Sequence, residues 1–363
     1  MTIPALFTPS AMSLTELEAL TVGRSDLLQA LTQRIISSAR DGSRPHTLLV
    51  GPRGSGKTHT LHVTLGRALS DTSTAKHVLP VLIAEDSLAI GSYADLLVEI
   101  ARAISSELGE EARTLRRGRD PVGIEGAVMQ AAAGRTILLA IENLDRVFDG
   151  IGEAGQGSLR AWVETTTAVL VFATAPTLFT GVSSREYPWY GSFMIERIAG
   201  LSVDDAVVLL DRAAQRRGDT DLVAFLQSAR GRDRVAAIRD IVGGTPRTWH
   251  LLAQCADAGS LDALTPAVEA LLDRLAPHYQ QQLWQLPAGE QRLVVELARG
   301  PGARTVSDLA AAVGVSNQSA SAALGRLAAD QWVTSSKADE DRRTSWYDLT
   351  DPLLRNYLHY RGS

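Results

Sequence analysis

The sequence predicts an α/β protein: a parallel-sheet core in the N-terminal half, an all-helical segment behind it, and a small helix-rich module with a two-stranded ribbon at the C-terminus. Three observations predict it. Short apolar runs ("TLLV", "VLPVLIAED", "TILLAI", "TAVLVFATA") recur in the first half with helical stretches between them, the pattern of strands joined by crossover helices. Between about residues 199 and 285 the apolar positions fall at helical spacing, as in "VDDAVVLLDRAAQRRG". From residue 286 the chain reads helix, turn, helix, turn, helix, and then two strands joined by a charged turn.

The bulk numbers narrow the function classes. With 363 residues there is room for two or three domains with real cores. Hydrophobic residues at 45% and charged residues at 21% are ordinary for a globular protein. A net charge of −5 means that any nucleic-acid contact comes from a local patch and not from the whole field. The one cysteine, Cys255 in "HLLAQCADA", reads as a small core residue and excludes a disulfide framework within one chain, which fits a reducing, cytoplasmic setting. The start "MTIPALFTPSAMSL" lacks the basic opening and long apolar run of a secretory signal, and no apolar run approaches a membrane span, so no membrane partner is expected.

Taken in order, residues 1–20 form a lead segment. "LTVGRSDLLQALTQRI" then places a turn, Val22-Gly23-Arg24, before a helix. The strongest signal comes next. Thr47–Val50 reads as a buried strand, Gly51-Pro52-Arg53-Gly54-Ser55-Gly56-Lys57-Thr58 matches G-x-x-x-x-G-K-[ST] in full, and a helix with Leu61, Val63, Leu65 and Leu69 succeeds it. The chemistry requires that order. Glycines let backbone N–H groups converge on phosphate oxygens, and the helix N-terminus adds its partial positive charge. Lys57 supplies a charge to the β- and γ-phosphates, and Thr58 offers its hydroxyl to Mg²⁺.

"VLPVLIAED" reads as a second parallel strand ending at Glu85. "EEARTLRRGRD" places Arg113, Arg116, Arg117 and Arg119 in a loop between core elements, either solvated or touching a phosphate backbone in an assembled ring. "TILLAIENLD" reads like the metal-binding strand of an ATPase with one residue out of place: it ends in Glu142 and Asn143 instead of a carboxylate pair, with Asp145 two residues on. An amide accepts no proton from water at neutral pH and can only orient it. "DIVGGTPRTWHLLAQ" ends one helix at Gly243-Gly244 and opens another at Pro246, with Arg247 in its first turn, where an arginine opposes the helix dipole.

In the tail, Thr305-Val306-Ser307-Asp308 starts a helix, Gly314 closes it, and "VSNQSASAALGRL" is the candidate recognition helix. Asn317, Gln318, Ser319, Ser321 and Arg326 on that helix, with Arg342 and Arg343 at the charged turn, are residue types that meet bases and phosphates. Against DNA binding stands the charge: from Gln285 to Ser363 basic and acidic residues balance, nine of each.

These motifs together resemble the AAA+ and STAND ATPases, in particular the origin-recognition initiator type with a C-terminal winged helix, and Asp341-Arg342-Arg343 resembles the wing tip of MarR-type regulators. The resemblance implies a P-loop NTPase parallel-sheet core (residues 21–198), a helical lid (199–285) and a winged-helix domain (286–363). It implies ATP and Mg²⁺ as cofactors. Val22, Gly23 and Arg24 would lie beside the adenine, and Glu142 would hold Mg²⁺ through water. Asn143 would take the place of the catalytic Glu, with Glu85 or Asp145 as alternative bases; some P-loop ATPases carry that Glu on a strand adjacent to the phosphate-loop strand. Thr174 would be sensor 1, although relatives often have Asn near the position where this chain has Ala175 and Pro176. Arg247 would be sensor 2. Either Arg185 or Arg197 would serve a neighbouring subunit of an ATP-dependent homo-oligomer.

The function expected is an ATP-dependent molecular switch that hydrolyses slowly and couples nucleotide state to DNA or a protein partner. A non-catalytic nucleotide-binding adaptor and a transcriptional regulator with an ATPase sensor are the alternatives.

Overall fold

Five short strands, four of them apolar, set the architecture of the first half. In the computed structural model, which describes residues 9–85, 90–337 and 344–362, they are β1 (Thr47–Val50), β2 (Val78–Ile83), β3 (Thr136–Ile141), β4 (Val169–Ala175) and β5 (Met194–Arg197). All pairs are parallel and the order is β2-β3-β4-β1-β5. β1, β3 and β4 are buried along their whole length, as expected of strands covered by helices on both faces. Successive side chains alternate between two cores. Leu48, Val50, Leu139 and Ile141 meet Leu96, Ile100, Phe148 and Trp162 on one face. Leu49, Leu138, Ala140 and Phe172 meet Leu31, Ile35 and Leu61 on the other. Each fully buried leucine contributes roughly 2 kcal/mol.

The chain divides into two units, residues 1–199 and 200–363. Within the first, the helix Leu14–Leu20, opened by a Ser13–Glu16 capping box, packs on the helix Lys57–Ser70. Glu18 holds Arg67 in a bidentate pair at 2.5 and 2.7 Å. Among the described residues, three helices, Tyr93–Ile104, Ser106–Arg117 and Pro121–Ala132, lie between β2 and β3. The arginine-rich stretch expected as a loop is therefore mostly helix: Arg113, Arg116 and Arg117 lie on Ser106–Arg117, and only Arg119 comes after it. Ser105 caps this helix and Leu108 and Ala112 bury its narrow apolar stripe, while Arg116 pairs with Asp95 at 2.5 Å. The long helix Leu144–Thr166 breaks at Gly152 (φ 65°, ψ 177°), a conformation open to glycine. Buried Gln156 mends the break: its Nε2 donates to the Phe148 carbonyl at 3.1 Å.

The second unit begins with the helices Val203–Arg217, Thr220–Gln227, Ala229–Val242, Pro246–Cys255, Ala258–Ala263 and Thr265–Gln285. It continues through Ala288–Arg299, β6 (Arg304–Thr305), Val306–Val313, Asn317–Ala329, β7 (Val333–Lys337), β8 (Ser345–Leu349) and Pro352–Gly362. The three strands form an antiparallel sheet in the order β6-β8-β7. Helix, strand, two helices and a ribbon make this module a winged helix. The expected boundary after residue 285 falls inside the unit. There the Tyr279 hydroxyl donates to Asp351 Oδ2 at 2.7 Å and its ring lies 5.0 Å from that of Tyr357.

Candidate functional site

Residues 51–56 carry the chain from β1 into the helix Lys57–Ser70. Two glycines make the path: Gly54 at φ 80° and Gly56 at φ 89° are left-handed, where a side chain is strained. Gly51 is needed for space, since a Cβ there would sit 2.9 Å from Ser55 Oγ and 3.2 Å from Ile198. Gly56 opens the helix with no capping side chain, so the helix end faces the loop with its own amides and dipole. Lys57 is buried, and its Nζ donates to the carbonyls of Gly51 at 2.7 Å and Pro52 at 3.2 Å. Ser55 Oγ is buried without a partner, and Thr58 stands half-buried in the first helical turn. A loop opened by three glycines, a helix N-terminus, an inward ammonium and an orphaned hydroxyl fit a polyphosphate.

The segment before the loop reaches it directly. Val22 and Gly23 are half-buried, and Gly23 (φ 63°) and Arg24 (φ 67°) are both left-handed. Arg24 Nη2 donates to the carbonyls of Ser55 at 2.6 Å and Ala199 at 2.9 Å, and Nη1 reaches Thr60 Oγ1 at 3.4 Å. A Cβ on Gly56 would lie 2.7 Å from Arg24 Nη1. Thr21 Oγ1 meets His59 Nε2 at 2.9 Å. Burial, helped by the charge of Arg24, pulls the His59 pKa down to about 4.

The acidic side is built at the ends of β3 and β4. Glu142 comes directly after β3 and is 7% exposed. Its amide donates to the Ile83 carbonyl at 2.9 Å, and its Oε2 accepts from the Glu85 amide at 3.2 Å. Glu142 Oε1 is left without a hydrogen bond, and His62 Nε2 lies 3.5 Å away, unaligned and also unpartnered. His62 sits one helical turn beyond Thr58, so Glu142 lies near the same helix face as that hydroxyl. Among the described residues no three or more of His, Cys, Asp and Glu converge as a metal cluster. A cation at Thr58 and Glu142 would thus take most of its coordination from water and phosphate, which suits Mg²⁺.

Asn143 is left-handed (φ 53°), an accessible conformation for asparagine, and its amide donates to Thr174 Oγ1 at 3.1 Å. Thr174 is buried on β4, level with Leu49 of β1. Asp145 is in the first turn of the next helix; burial pushes its carboxyl pKa up, and Oδ1 has no partner.

The sheet order corrects the expectation that Glu85 ends a strand adjacent to the phosphate-loop strand. β2 is an edge strand beside β3, and β3 and β4 separate it from β1. The Glu85 side chain is exposed, and only its backbone amide touches Glu142. Sequence reasoning also missed His62 and the carbonyl contacts of Arg24. Both are long-range, and the only available signal was that His62 lies four residues after Thr58.

Among the arginines, Arg197 ends β5 beside Val50, and Arg185 lies 5.9 Å from the Tyr190 ring centroid; both are exposed. Arg247 belongs to the second unit, at the start of Pro246–Cys255 after the Gly243 cap (φ 73°), and its charge acts on the Tyr279 hydroxyl. On the helix Asn317–Ala329, the residues Asn317, Gln318, Ser319, Ser321 and Arg326 are all exposed. Ser316 Oγ caps the helix at the Ser319 amide and donates to Ser319 Oγ. Arg326 Nε donates to the buried Glu290 at 2.7 Å. Arg342 and Arg343 lie outside the described residues.

Comparison with known proteins agrees with this architecture. The MarR family model matches residues 284–344. The Walker-type ATPase PABY2304 of Pyrococcus abyssi shares 15% identity over 93% of this chain and 96% of its own, with a TM-score of 0.56. The Aeropyrum pernix ORC1 protein, solved in complex with DNA, shares 13% identity over 94% and 93%, TM-score 0.56. The ORC2 protein of the same organism, solved as ADPNP-ADP complexes, shares 13% over 94% and 95%, TM-score 0.56. No curated protein matches the chain in sequence. At these identities the likeness is one of fold: an α/β P-loop core with a C-terminal, MarR-like winged helix.

Proposed function

We propose that the protein is an ATP-dependent molecular switch that couples nucleotide state to DNA contact through its winged helix. The observation that carries this reading is the loop of residues 51–58, with Lys57 turned into it and Glu142 near the Thr58 face of the next helix. A magnesium nucleotide bound there supplies a charged γ-phosphoryl group that hydrolysis removes. Lys57 and the loop amides would hold the phosphates, Thr58 would offer its hydroxyl to the cation, and Glu142 would hold that cation through water. Thr174 fixes the Asn143 amide and thereby the corner that carries Glu142. The Asn143 side chain orients water but accepts no proton from it, so turnover is slow and the bound state persists. Arg247 carries the nucleotide state to the helical lid, and an arginine from a second copy, Arg185 or Arg197, completes the assembled form. Asn317, Gln318 and Ser321 face DNA. The solved DNA complex of the ORC1 protein, which shares this fold, supports that use of the tail.

The test is fluorescence anisotropy of labelled duplex DNA with and without Mg-ATP, for wild type and Lys57→Ala. Wild type should bind DNA more tightly with ATP, and Lys57→Ala should lose both nucleotide binding and the ATP effect. Unchanged nucleotide affinity in Lys57→Ala refutes the site.

A second reading is favoured by the balanced charge of the tail and by Arg326 being held on Glu290: a nucleotide-binding adaptor whose winged helix contacts a protein. Nucleotide binding without DNA affinity at low salt selects it.

A further inference from the structure

We infer that Arg24 is a positioning residue that ties the phosphate loop to the peptide where the chain leaves the first unit for the second. The inference rests on the nucleotide reading of that loop and adds a route from the loop to the Ala199 peptide.

Three observations carry it. First, one guanidinium nitrogen holds two carbonyls remote in sequence. Arg24 Nη2 donates to Ser55 at 2.6 Å, in the middle of the loop, and to Ala199 at 2.9 Å, the last residue of the first unit. The planar guanidinium holds Nη2 on these two carbonyls while Nη1 reaches Thr60 Oγ1, a two-nitrogen grip that the single ammonium of a lysine does not reproduce. The left-handed backbone at Arg24 costs about 1 kcal/mol in a residue other than glycine, so the contacts must offset it.

Second, the peptides on either side of Gly200 are each anchored. Upstream, the Ile198 amide donates to the Val50 carbonyl at 2.7 Å, and the Ala199 carbonyl is held by Arg24. Downstream, within the second unit, the Leu201 amide donates to the Gly244 carbonyl at 2.7 Å and Arg239 Nε donates to the Leu201 carbonyl at 2.8 Å. Gly244 lies in the short turn that opens into the helix bearing Arg247.

Third, Gly200 alone separates the two anchors. A Cβ there would lie 3.0 Å from the Gly244 carbonyl oxygen and 3.1 Å from its Cα. The backbone torsions of this glycine are the only ones between a peptide set by Arg24 and a peptide set by Gly244. Ser55 presents its carbonyl to Arg24 from the same loop whose amides face phosphate. A shift of the loop on binding phosphate moves that carbonyl, then Arg24, then the Ala199 peptide.

The experiment is hydrogen–deuterium exchange of the full chain at the amides of Gly200 and Leu201, with and without saturating Mg-ATP, beside equilibrium binding of a fluorescent ATP analogue. In wild type, ATP should change exchange at both amides. Arg24→Ala is compared at nucleotide concentrations that saturate it in the binding assay, which allows for affinity lost with the Ser55 contact, and its exchange at Gly200 and Leu201 should no longer respond. Arg24→Lys, which keeps the charge and loses the fork, should behave the same way and decides the matter if Arg24→Ala does not fold. A full ATP response at Gly200 and Leu201 in either variant overturns the inference. Wild type that binds no nucleotide overturns the reading beneath it. Wild type that binds nucleotide with no response at these amides overturns the coupling alone.

Discussion

Replacing Thr174 with valine isolates one hydrogen bond at the heart of the site. Thr174 is 1% exposed, and its Oγ1 accepts from the Asn143 amide at 3.1 Å. Valine keeps the shape and removes the acceptor, so the change leaves a backbone donor without its partner and opens no cavity. A buried donor so stranded costs roughly 1–3 kcal/mol. Asn143 is half-buried, which puts the loss at about 1–2 kcal/mol. For a unit of this size each kcal/mol moves the melting midpoint by about 2–4 °C, so the first unit should melt about 2–8 °C lower. Because the same amide fixes the corner behind Glu142, nucleotide affinity should fall as well. Differential scanning calorimetry of wild type, Thr174→Val and Thr174→Ser separates the hydroxyl from the methyl. A Thr174→Val protein melting within about 1 °C of wild type would refute the claim that this bond holds the corner.

Three further outcomes are expected. Asn143→Glu should raise phosphate release about 100-fold if a base is what the site lacks, while costing about 1 kcal/mol because glutamate tolerates the left-handed backbone less well than asparagine; an unchanged rate would assign the base elsewhere, with Asp145 the nearest alternative. His59 has a folded pKa of about 4 against an ordinary 6.5, so its contribution is complete above about pH 6.5 and is lost as pH falls towards 4, on the order of 3 kcal/mol in all. Thermal melts from pH 7 to 4.5 should show that decline, shallower in His59→Gln, with a remainder from His46, which burial also pulls down to about 4; parallel curves would refute the assignment. If Arg342 and Arg343 grip DNA phosphates, removing them together should reduce the slope of log affinity against log salt by about 2, read from anisotropy titrations at several salt concentrations.

The phosphate loop could be read directly because its requirements are local. Gly51, Gly54 and Gly56 meet steric needs within a few residues of themselves, and an apolar run such as "TILLAI" can bury both faces in only a few ways. The capping box at Thr305 and the left-handed Gly314 mark helix ends for the same reason. The features that escaped the sequence are long-range. Nothing in "VLPVLIAED" says that its strand ends up at the sheet edge, three places from β1, because strand order is decided by which helices pack on which face. Nothing in "VGR" says that the arginine will span Ser55 and Ala199. The stretch "EEARTLRRGRD" looked like a solvated loop because its helix buries only Leu108, Gly109 and Ala112, too narrow a stripe to stand out among so many charges.

The clasp between Tyr279, Asp351 and Tyr357 bears on how such a protein diversifies. It rivets the last long helix before the tail to the closing helix of the tail, so recombination that swapped the tail alone would strand a buried phenol and an unsheltered aromatic face. A viable crossover would bring the helix Thr265–Gln285 along with the tail. New specificity in the tail then arrives together with the helix to which it is fastened.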